Sequence, residues 1–143
     1  MTVDISHTND VSEIGPLLRV LRSAMAPDLF QKRLERTCAR GYKGLIAHQG
    51  HRAVGFLGYR ITRDVHWGKT FYIDDLVVQP AARSGGIGAS LLAAAKAEGI
   101  AQNCDHIRLC SGLSRTQAHR FYENNGFAQV SLQFACPLHD GEL

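Results

Sequence analysis

The sequence predicts an α/β domain in which a mixed sheet carries helices on both faces. Three observations lead to this prediction. Apolar residues recur at helical spacing in four segments, apolar runs of strand length lie between them, and a glycine-rich loop joins a buried strand directly to a helix. The predicted order is β-α-α-β-β-β-α-β-α-β, and the length suits a single domain spanning residues 1–143.

The first third of the chain predicts a strand followed by two helices. Residues 3–6 alternate weakly, as a short strand does, and the polar residues up to Asp10 are suited to cap a helix. Pro27 suits the start of a second helix that ends at Gly41. The apolar face of the first helix follows at helical spacing: Ile14, Leu17, Leu18 and Leu21.

The middle of the chain predicts three strands. Two apolar runs, residues 45–47 and 53–61, flank turn-forming residues and predict an antiparallel hairpin. The next strand, residues 70–78, has the composition of a strand buried on both faces, except for Asp74 and Asp75. The two acids therefore interrupt an otherwise apolar strand.

The last third alternates helices and strands. A helix is expected from Ile87 and is expected to stop at Gly99. A short strand at residues 106–110 and a helix at residues 116–124 follow. Residues 128–135 alternate between apolar and polar side chains and predict the last strand.

Composition excludes several classes of function. The formal net charge is only +3, too small to favour nucleic acid or anionic lipid as a partner. No apolar run approaches the length of a membrane span, and the first ten residues lack the pattern of a secretory signal, so a cytoplasmic protein is expected. The four cysteines show no spacing typical of a metal site, and no metal is expected.

A glycine-rich loop follows the strand at residues 70–78. Its amides precede a helix, whose N-terminus favours anions, so the loop suits a diphosphate; a plain tight turn is the alternative. A P-loop is excluded because the lysine it requires is missing, and a dinucleotide fingerprint is incomplete because Leu91 occupies its third glycine position. The loop consists of Arg83, Ser84, Gly85, Gly86, Ile87 and Gly88.

Two motifs carry a resemblance to a known family. The loop from Arg83 to Gly88 resembles the acyl-coenzyme A pyrophosphate loop of the GCN5-related N-acetyltransferases (GNAT). Residues 118–127, with Phe121, Tyr122 and Gly126, are similar to that family's A-x-x-F-Y-x-x-x-G-F signature. The resemblance covers almost the whole chain and implies a GNAT-type mixed, mostly antiparallel sheet with helices on both faces. Residues 114–122 look most like small amine acetyltransferases of the aminoalkylphosphonate N-acetyltransferase type.

The resemblance implies an enzyme that uses acetyl-coenzyme A as cosubstrate. A primary amine attacks the thioester directly, and the expected acceptor is a small molecule such as an aminoalkylphosphonate, an amino acid or a polyamine. Two alternatives stay open: acetylation of a protein lysine or N-terminus, and a regulatory module that binds acyl-coenzyme A without turnover. An edge strand near the C-terminus would let two copies pair as a homodimer.

The resemblance also implies which residues bind the cosubstrate. Backbone groups of the fourth strand are expected to pair with the pantetheine amides, and an N–H of Val77 or Val78 is expected to stabilise the oxyanion. Arg115 stands where many members carry Asn and would instead meet a phosphate. The expected cofactor-binding residues are Leu76, Val77, Val78, Arg83, Ser84, Gly85, Gly86, Ile87, Gly88 and Arg115.

Three side chains are candidates for catalysis. Tyr122 lies where the family places the general acid that protonates the leaving thiolate; the alternative is a core aromatic beside Phe121. Asp74 and Asp75 are costly in a buried strand unless they are used, as substrate ligands or as a base. Because adjacent strand residues face opposite ways, we expect one of the two carboxylates in the cleft and the other in a structural role.

Overall fold

The computed structural model describes residues 2–141, which form five strands, four α-helices and a short 3-10 helix. The strands are β1 (Asp4–Thr8), β2 (Lys43–Gln49), β3 (Arg52–Asp64), β4 (Gly68–Val78) and β5 (His106–Leu109). The helices are α1 (Val11–Leu21), α2 (Pro27–Ala39), α3 (Ile87–Ala101) and α4 (Thr116–Asn124), and the 3-10 helix covers Pro80–Ala82. The chain divides into two compact units, one up to Leu109 and one from Cys110 onward. The single domain over residues 1–143 stays a prediction.

The first unit is built on one sheet with the strand order β1-β2-β3-β4-β5. Neighbouring strands are antiparallel from β1 to β4, and only β4 and β5 are parallel. The mixed, mostly antiparallel α/β fold predicted from the sequence is therefore confirmed. Long β3 and β4 form the centre of this sheet and place the acidic stretch of β4 in the middle of the molecule's first unit.

Helices cover both faces of the sheet. On one face Leu17 of α1 and Leu34 of α2 share a buried cluster with Phe56 of β3 and Val77 of β4. On the other face α3 lies so close to β3 that a Cβ at Gly55 would meet Ile87 Cγ2 at 2.9 Å. The alternation of β3 side chains thus sends Phe56 toward α1 and α2 and leaves room at position 55 for α3.

A β-bulge interrupts the pairing of β3 with β4. Gly58 pairs with Asp75, and the next residue, Tyr59, pairs with Ile73, so Asp74 has no Cα partner on β3. Two residues of β4 therefore oppose one step of β3, which is the arrangement of a bulge. A bulge breaks the strict alternation of side chains, and this changes where Asp74 points.

The second unit contains α4 and the residues after it. Tyr122 contacts two rings of the same unit, Phe121 at 5.5 Å and Phe127 at 6.0 Å between centroids. Gly126 adopts a φ of 91°, which ends the helix in the manner expected of its Asn125-Gly126 sequence. The predicted bounds of this helix, residues 116–124, are confirmed.

Two predicted elements differ from the structure. Helix α3 continues past Gly99 to Ala101, because Gly99 is inside the helix and packs against Phe71, where a Cβ would lie 3.5 Å from Phe71 Cβ. Residues 128–135 form no strand within residues 2–141. Their alternating apolar side chains are exposed, with Phe134 at 90%, and alternation alone does not make a strand, because β-propensity depends on the packing that surrounds it.

Candidate active site

Asp74 and Asp75 line one open cleft of about 790 Å³ on the α1 and α2 side of the sheet. The expectation that the two carboxylates face opposite sides is wrong. The bulge at Asp74 removes the alternation, so consecutive residues of β4 direct their carboxylates to the same cleft. Both acids are ion-paired there, and neither is a purely structural group on the far face.

Asp75 is the more deeply placed acid, with 11% of its side chain exposed. Its Oδ1 accepts a hydrogen bond from Arg22 Nη2 at 2.7 Å, and its Oδ2 accepts one from Tyr42 Oη at 2.7 Å. Arg22 caps the C-terminus of α1, and Tyr42 directly precedes β2. The carboxylate therefore joins three separate parts of the first unit.

Tyr42 reaches Asp75 across β3 because position 58 is glycine. A Cβ at Gly58 would overlap Tyr42 Oη, so any larger residue would displace the ring. Tyr42 is 2% exposed, and its ring lies 6.2 Å from that of Phe56. Burial, reinforced by the charge of Asp75, raises the pKa of Tyr42, so the phenol stays protonated and acts only as a donor to Asp75.

Asp74 is held by a two-pronged contact with Arg60 of β3. Arg60 Nε donates to Asp74 Oδ2 and Arg60 Nη2 donates to Asp74 Oδ1, both at 2.7 Å. This side-chain hydrogen bond raises the pKa of Arg60, which remains charged. An ionised carboxylate has about four lone-pair sites, so each of Asp74 and Asp75 retains acceptor capacity for a substrate ammonium.

Sequence reasoning did not identify the basic residues of the cleft. Besides the partners of the two acids, three exposed arginines line it, two on α2 and one as the C-cap residue of that helix, spaced at i, i+3 and i+7. This periodicity is visible in the sequence, but an exposed charged stripe on a helix is usually only solvated. The three residues are Arg33, Arg36 and Arg40.

Beyond the bulge, the backbone of β4 has one edge turned away from β3. Pairing with β5 is confined to Thr70–Ile73. Among the strands of residues 2–141, the part of β4 after the bulge therefore pairs with β3 on one side only. The Val77 carbonyl faces β3, 3.3 Å from a Cβ placed on Gly55, whereas the Val78 carbonyl accepts a hydrogen bond from Arg83 Nε at 3.2 Å. Alternation therefore turns the N–H groups of Leu76 and Val78 to the open edge.

The glycine-rich loop leads from this edge into α3. Gly86 precedes the helix with a φ of 76°, and nothing lies within 4 Å of a Cβ placed there. Ser84 also has a positive φ of 74°, and no side chain caps the helix. The first helical hydrogen bond joins Ser90 N to Gly86 O, so the amides of Ile87, Gly88 and Ala89 precede the ladder. Glycine conformation, open space and uncapped amides together fit a diphosphate.

The remaining candidates, Tyr122 and Arg115, belong to the second unit. Tyr122 is half-buried, and burial raises the pKa of its phenol, an effect that the charge of Arg115 partly opposes. Arg115 is exposed at the N-terminus of α4, and its side chain does not cap that helix.

Residues 2–141 contain neither a cluster of metal ligands nor a helix suited to span a membrane. In this part of the chain no three His, Cys, Asp or Glu side chains are grouped so that they would hold a metal ion. None of the helices within the same range has both the length and the apolarity needed to cross a bilayer.

Known proteins resemble this chain in sequence and in fold. The model of the Acetyltransferase (GNAT) family matches residues 15–127. The chain is 31% identical over 136 residues to the uncharacterized N-acetyltransferase YhdJ of Bacillus subtilis (strain 168), which covers 94% of this chain and 96% of that protein.

Among solved structures, AAC(6')-Iy in complex with a bisubstrate analogue, CoA-S-monomethyl-acetylneamine, superposes with a TM-score of 0.83 at 18% identity and covers 97% of this chain and 99% of its own. A putative acetyl transferase from Pyrococcus furiosus superposes with a TM-score of 0.80 at 24% identity, covering 96% and 100%. At such identities the solved structures establish a shared fold.

Proposed function

Since the chain belongs to the GNAT acetyltransferase family, we propose that it transfers an acetyl group from acetyl-coenzyme A to the primary amine of a small molecule. One observation carries the proposal: on β4 two aspartates that line a cleft are followed directly by an open backbone edge and then by an uncapped helix N-terminus. A site for the acceptor, a site for an extended arm and a site for a diphosphate thus follow one another along β4 and the loop after it.

Acetyl-coenzyme A supplies an acetyl group activated as a thioester. The loop amides from Gly85 to Gly88 would bind its diphosphate, because they combine free N–H donors with the positive end of the α3 dipole. Arg83 is fixed beside them through its hydrogen bond to Val78 O. Arg115, exposed in the second unit, is a further phosphate ligand in this proposal.

The open edge of β4 would bind the pantetheine arm as an added strand does. The outward N–H groups of Leu76 and Val78 are the available donors, and Val78 N–H would stabilise negative charge on the thioester carbonyl oxygen. Val77, the other residue considered from the sequence, directs its carbonyl to β3. Its contribution is therefore its buried side chain.

The cleft acids would bind the acceptor amine. Asp75 and Asp74 hold the ammonium through their remaining lone pairs and accept or relay its proton before the amine attacks. Tyr122 would donate a proton to the departing thiolate, since its raised pKa keeps the phenol protonated at neutral pH.

The first test is binding of acetyl-coenzyme A measured by titration calorimetry. Gly86→Asp is expected to weaken binding by at least about tenfold, because the aspartate adds a negative charge and a side chain at the loop. Gly50→Asp is a matched control: Gly50 has a similar φ of 61° and equally open space, but it lies in the β2–β3 turn. Equal affinity of a folded Gly86→Asp variant would exclude the loop as the binding site.

The second test is turnover. Release of free coenzyme A thiol is measured with amino acids, aminophosphonates, polyamines, aminoglycosides and a lysine peptide as acceptors. Amine-dependent release with a small molecule would support the proposed function. Tight binding without release on any amine would instead support a regulatory module, and release with the peptide alone would indicate a protein acceptor.

A further inference from the structure

The acceptor cleft carries more positive than negative charge. Five arginines and two aspartates line it. The negative charge of each aspartate is already balanced by an ion pair, with Arg22 for Asp75 and with Arg60 for Asp74. Three guanidinium groups, on α2 and on its C-cap residue Arg40, are left over, and among residues 2–141 no ion pair involves them. A substrate with only an ammonium would leave this excess uncompensated.

The three arginines are spaced so that their positive charges repel one another. Arg33 and Arg36 are three residues apart and Arg36 and Arg40 four, the spacings at which side chains of a helix are neighbours and like charges destabilise it. The acid nearest to them on the helix, Glu35, accepts a hydrogen bond from Gln31 instead. A helix face that only needed solubility would be served equally well by mixed charges.

The spacing of the arginines suits an anion at one end of a bound acceptor. Seven residues of helix span about 10 Å, so the stripe is long enough to surround a single small group. Guanidinium groups pair with carboxylate and phosphate oxygens through two parallel hydrogen bonds. Thr37 also lines the cleft, but its hydroxyl donates to Arg33 O at 2.6 Å, so the arginines are the donors for the anion.

We propose that the acceptor is an amine that also carries an anionic group, a carboxylate or a phosphonate, which Arg33, Arg36 and Arg40 bind while Asp74 and Asp75 receive the amine. This inference rests on the proposed acetyl transfer. It distinguishes the chain from an enzyme for polycations, because an aminoglycoside or a polyamine would bring further positive charge to the arginines. The bound solved neighbour AAC(6')-Iy, whose ligand is an acetylneamine analogue, is thus similar in fold but not a guide to the acceptor.

The test compares four acceptors of similar length that differ at one end: 3-aminopropanoate, 2-aminoethylphosphonate, 3-aminopropanol and 1,3-diaminopropane. We expect kcat/KM for the two anionic amines to exceed that of the alcohol by at least about tenfold, with the diamine lowest. The ratio of the first two identifies the anion. Equal rates for all four would overturn this inference alone, and acetylation of none would overturn the proposed function as well.

Variants of the three arginines test whether they cause the preference for anionic amines. Replacing the three arginines by glutamine is expected to raise KM for the anionic amines by at least about tenfold, with kcat and the KM for acetyl-coenzyme A little changed. Lys32→Gln is the matched control, because Lys32 is exposed on the same helix but does not line the cleft. An unchanged acceptor KM in the folded triple variant, or the same increase in Lys32→Gln, would contradict the assigned role.

Discussion

Tyr42 Oη donates a hydrogen bond to Asp75 Oδ2 at 2.7 Å, across a strand that separates the two residues. Tyr42 precedes β2 and Asp75 lies on β4, so the ring passes over Gly58 of the intervening β3. Gly58 is also the cross-strand partner of Asp75. The position of the cleft carboxylate therefore depends on a missing side chain in the neighbouring strand.

Gly58→Ala should destabilise the protein by about 1–3 kcal/mol, the usual cost of adding a methyl group to a packed interior. The new Cβ would overlap Tyr42 Oη and move the ring away from Asp75. The free energy of unfolding is measured by urea denaturation. Gly15→Ala is the control, because a Cβ there meets only Leu34 Cδ2 at 3.6 Å and α1 gains helix propensity. Equal stability of both variants would contradict this account of Gly58.

Tyr42→Phe should cost about 1.5–3 kcal/mol, since the hydrogen bond it removes is made to a charged and largely buried group. The phenylalanine keeps the packing against Phe56. A double-mutant cycle with Asp75→Asn should show a coupling energy above about 0.5 kcal/mol. In a control cycle, Tyr42→Phe is combined with Asp64→Asn, near the opposite end of the β3–β4 hairpin, and the two changes in the free energy of unfolding should be additive. Additivity with Asp75 would show that the contact contributes nothing to stability.

The sequence predicted those elements whose signals are local. Helix α4 was predicted with its observed bounds, because its apolar face and its Asn125-Gly126 end lie within a dozen residues. The strand predicted at residues 128–135 was wrong for the complementary reason: alternation is a local signal, whereas a strand also needs hydrogen bonds from a second segment, which the alternation does not specify.

The site was predicted in its residue types but not in its geometry. The bulge at Asp74 arises from the register between β3 and β4, and no pattern in the six residues around Asp74 predicts a bulge. The role of Tyr42 was likewise hidden, because it depends on a hydrogen bond to Asp75, more than thirty residues away in sequence. The role of Arg33, Arg36 and Arg40 was hidden because it depends on their sharing a cleft with Asp74 and Asp75. Sequence periodicity predicts which face of a helix or strand a residue occupies, but it does not predict which residues that face contacts.

Asp75→Asn and Asp74→Asn should differ in stability although both acids line the same cleft. The Asp75 variant should lose about 1–3 kcal/mol, because it weakens hydrogen bonds to a buried tyrosine and an arginine. The Asp74 variant should lose less than about 1 kcal/mol, since its partner Arg60 is 46% exposed. Thermal and urea unfolding measure both values.

Both aspartate variants should also raise the KM for the amine acceptor and leave the affinity for acetyl-coenzyme A unchanged. Initial rates at several pH values separate this effect from loss of fold. Wild-type KM for the best acceptor in both variants would remove the two acids from substrate binding, and bulk water would then take the proton.

Tyr122→Phe should lower kcat by about 10²-fold while the fold and the affinity for acetyl-coenzyme A are kept, the usual scale for a lost general acid. Burial raises the pKa of Tyr122 above its ordinary value of 10.0, so the proton-donating form predominates until the pH rises through that higher pKa. Any loss of kcat due to ionisation of Tyr122 should therefore lie above about pH 10. Between pH 7 and about 9 the profiles of log kcat for wild type and variant should run parallel, about two units apart. If the kcat of the wild type fell with a midpoint below about pH 9, and that of the variant did not, burial would not be what sets the pKa of Tyr122. A variant with nearly wild-type kcat would assign protonation of the thiolate to another group.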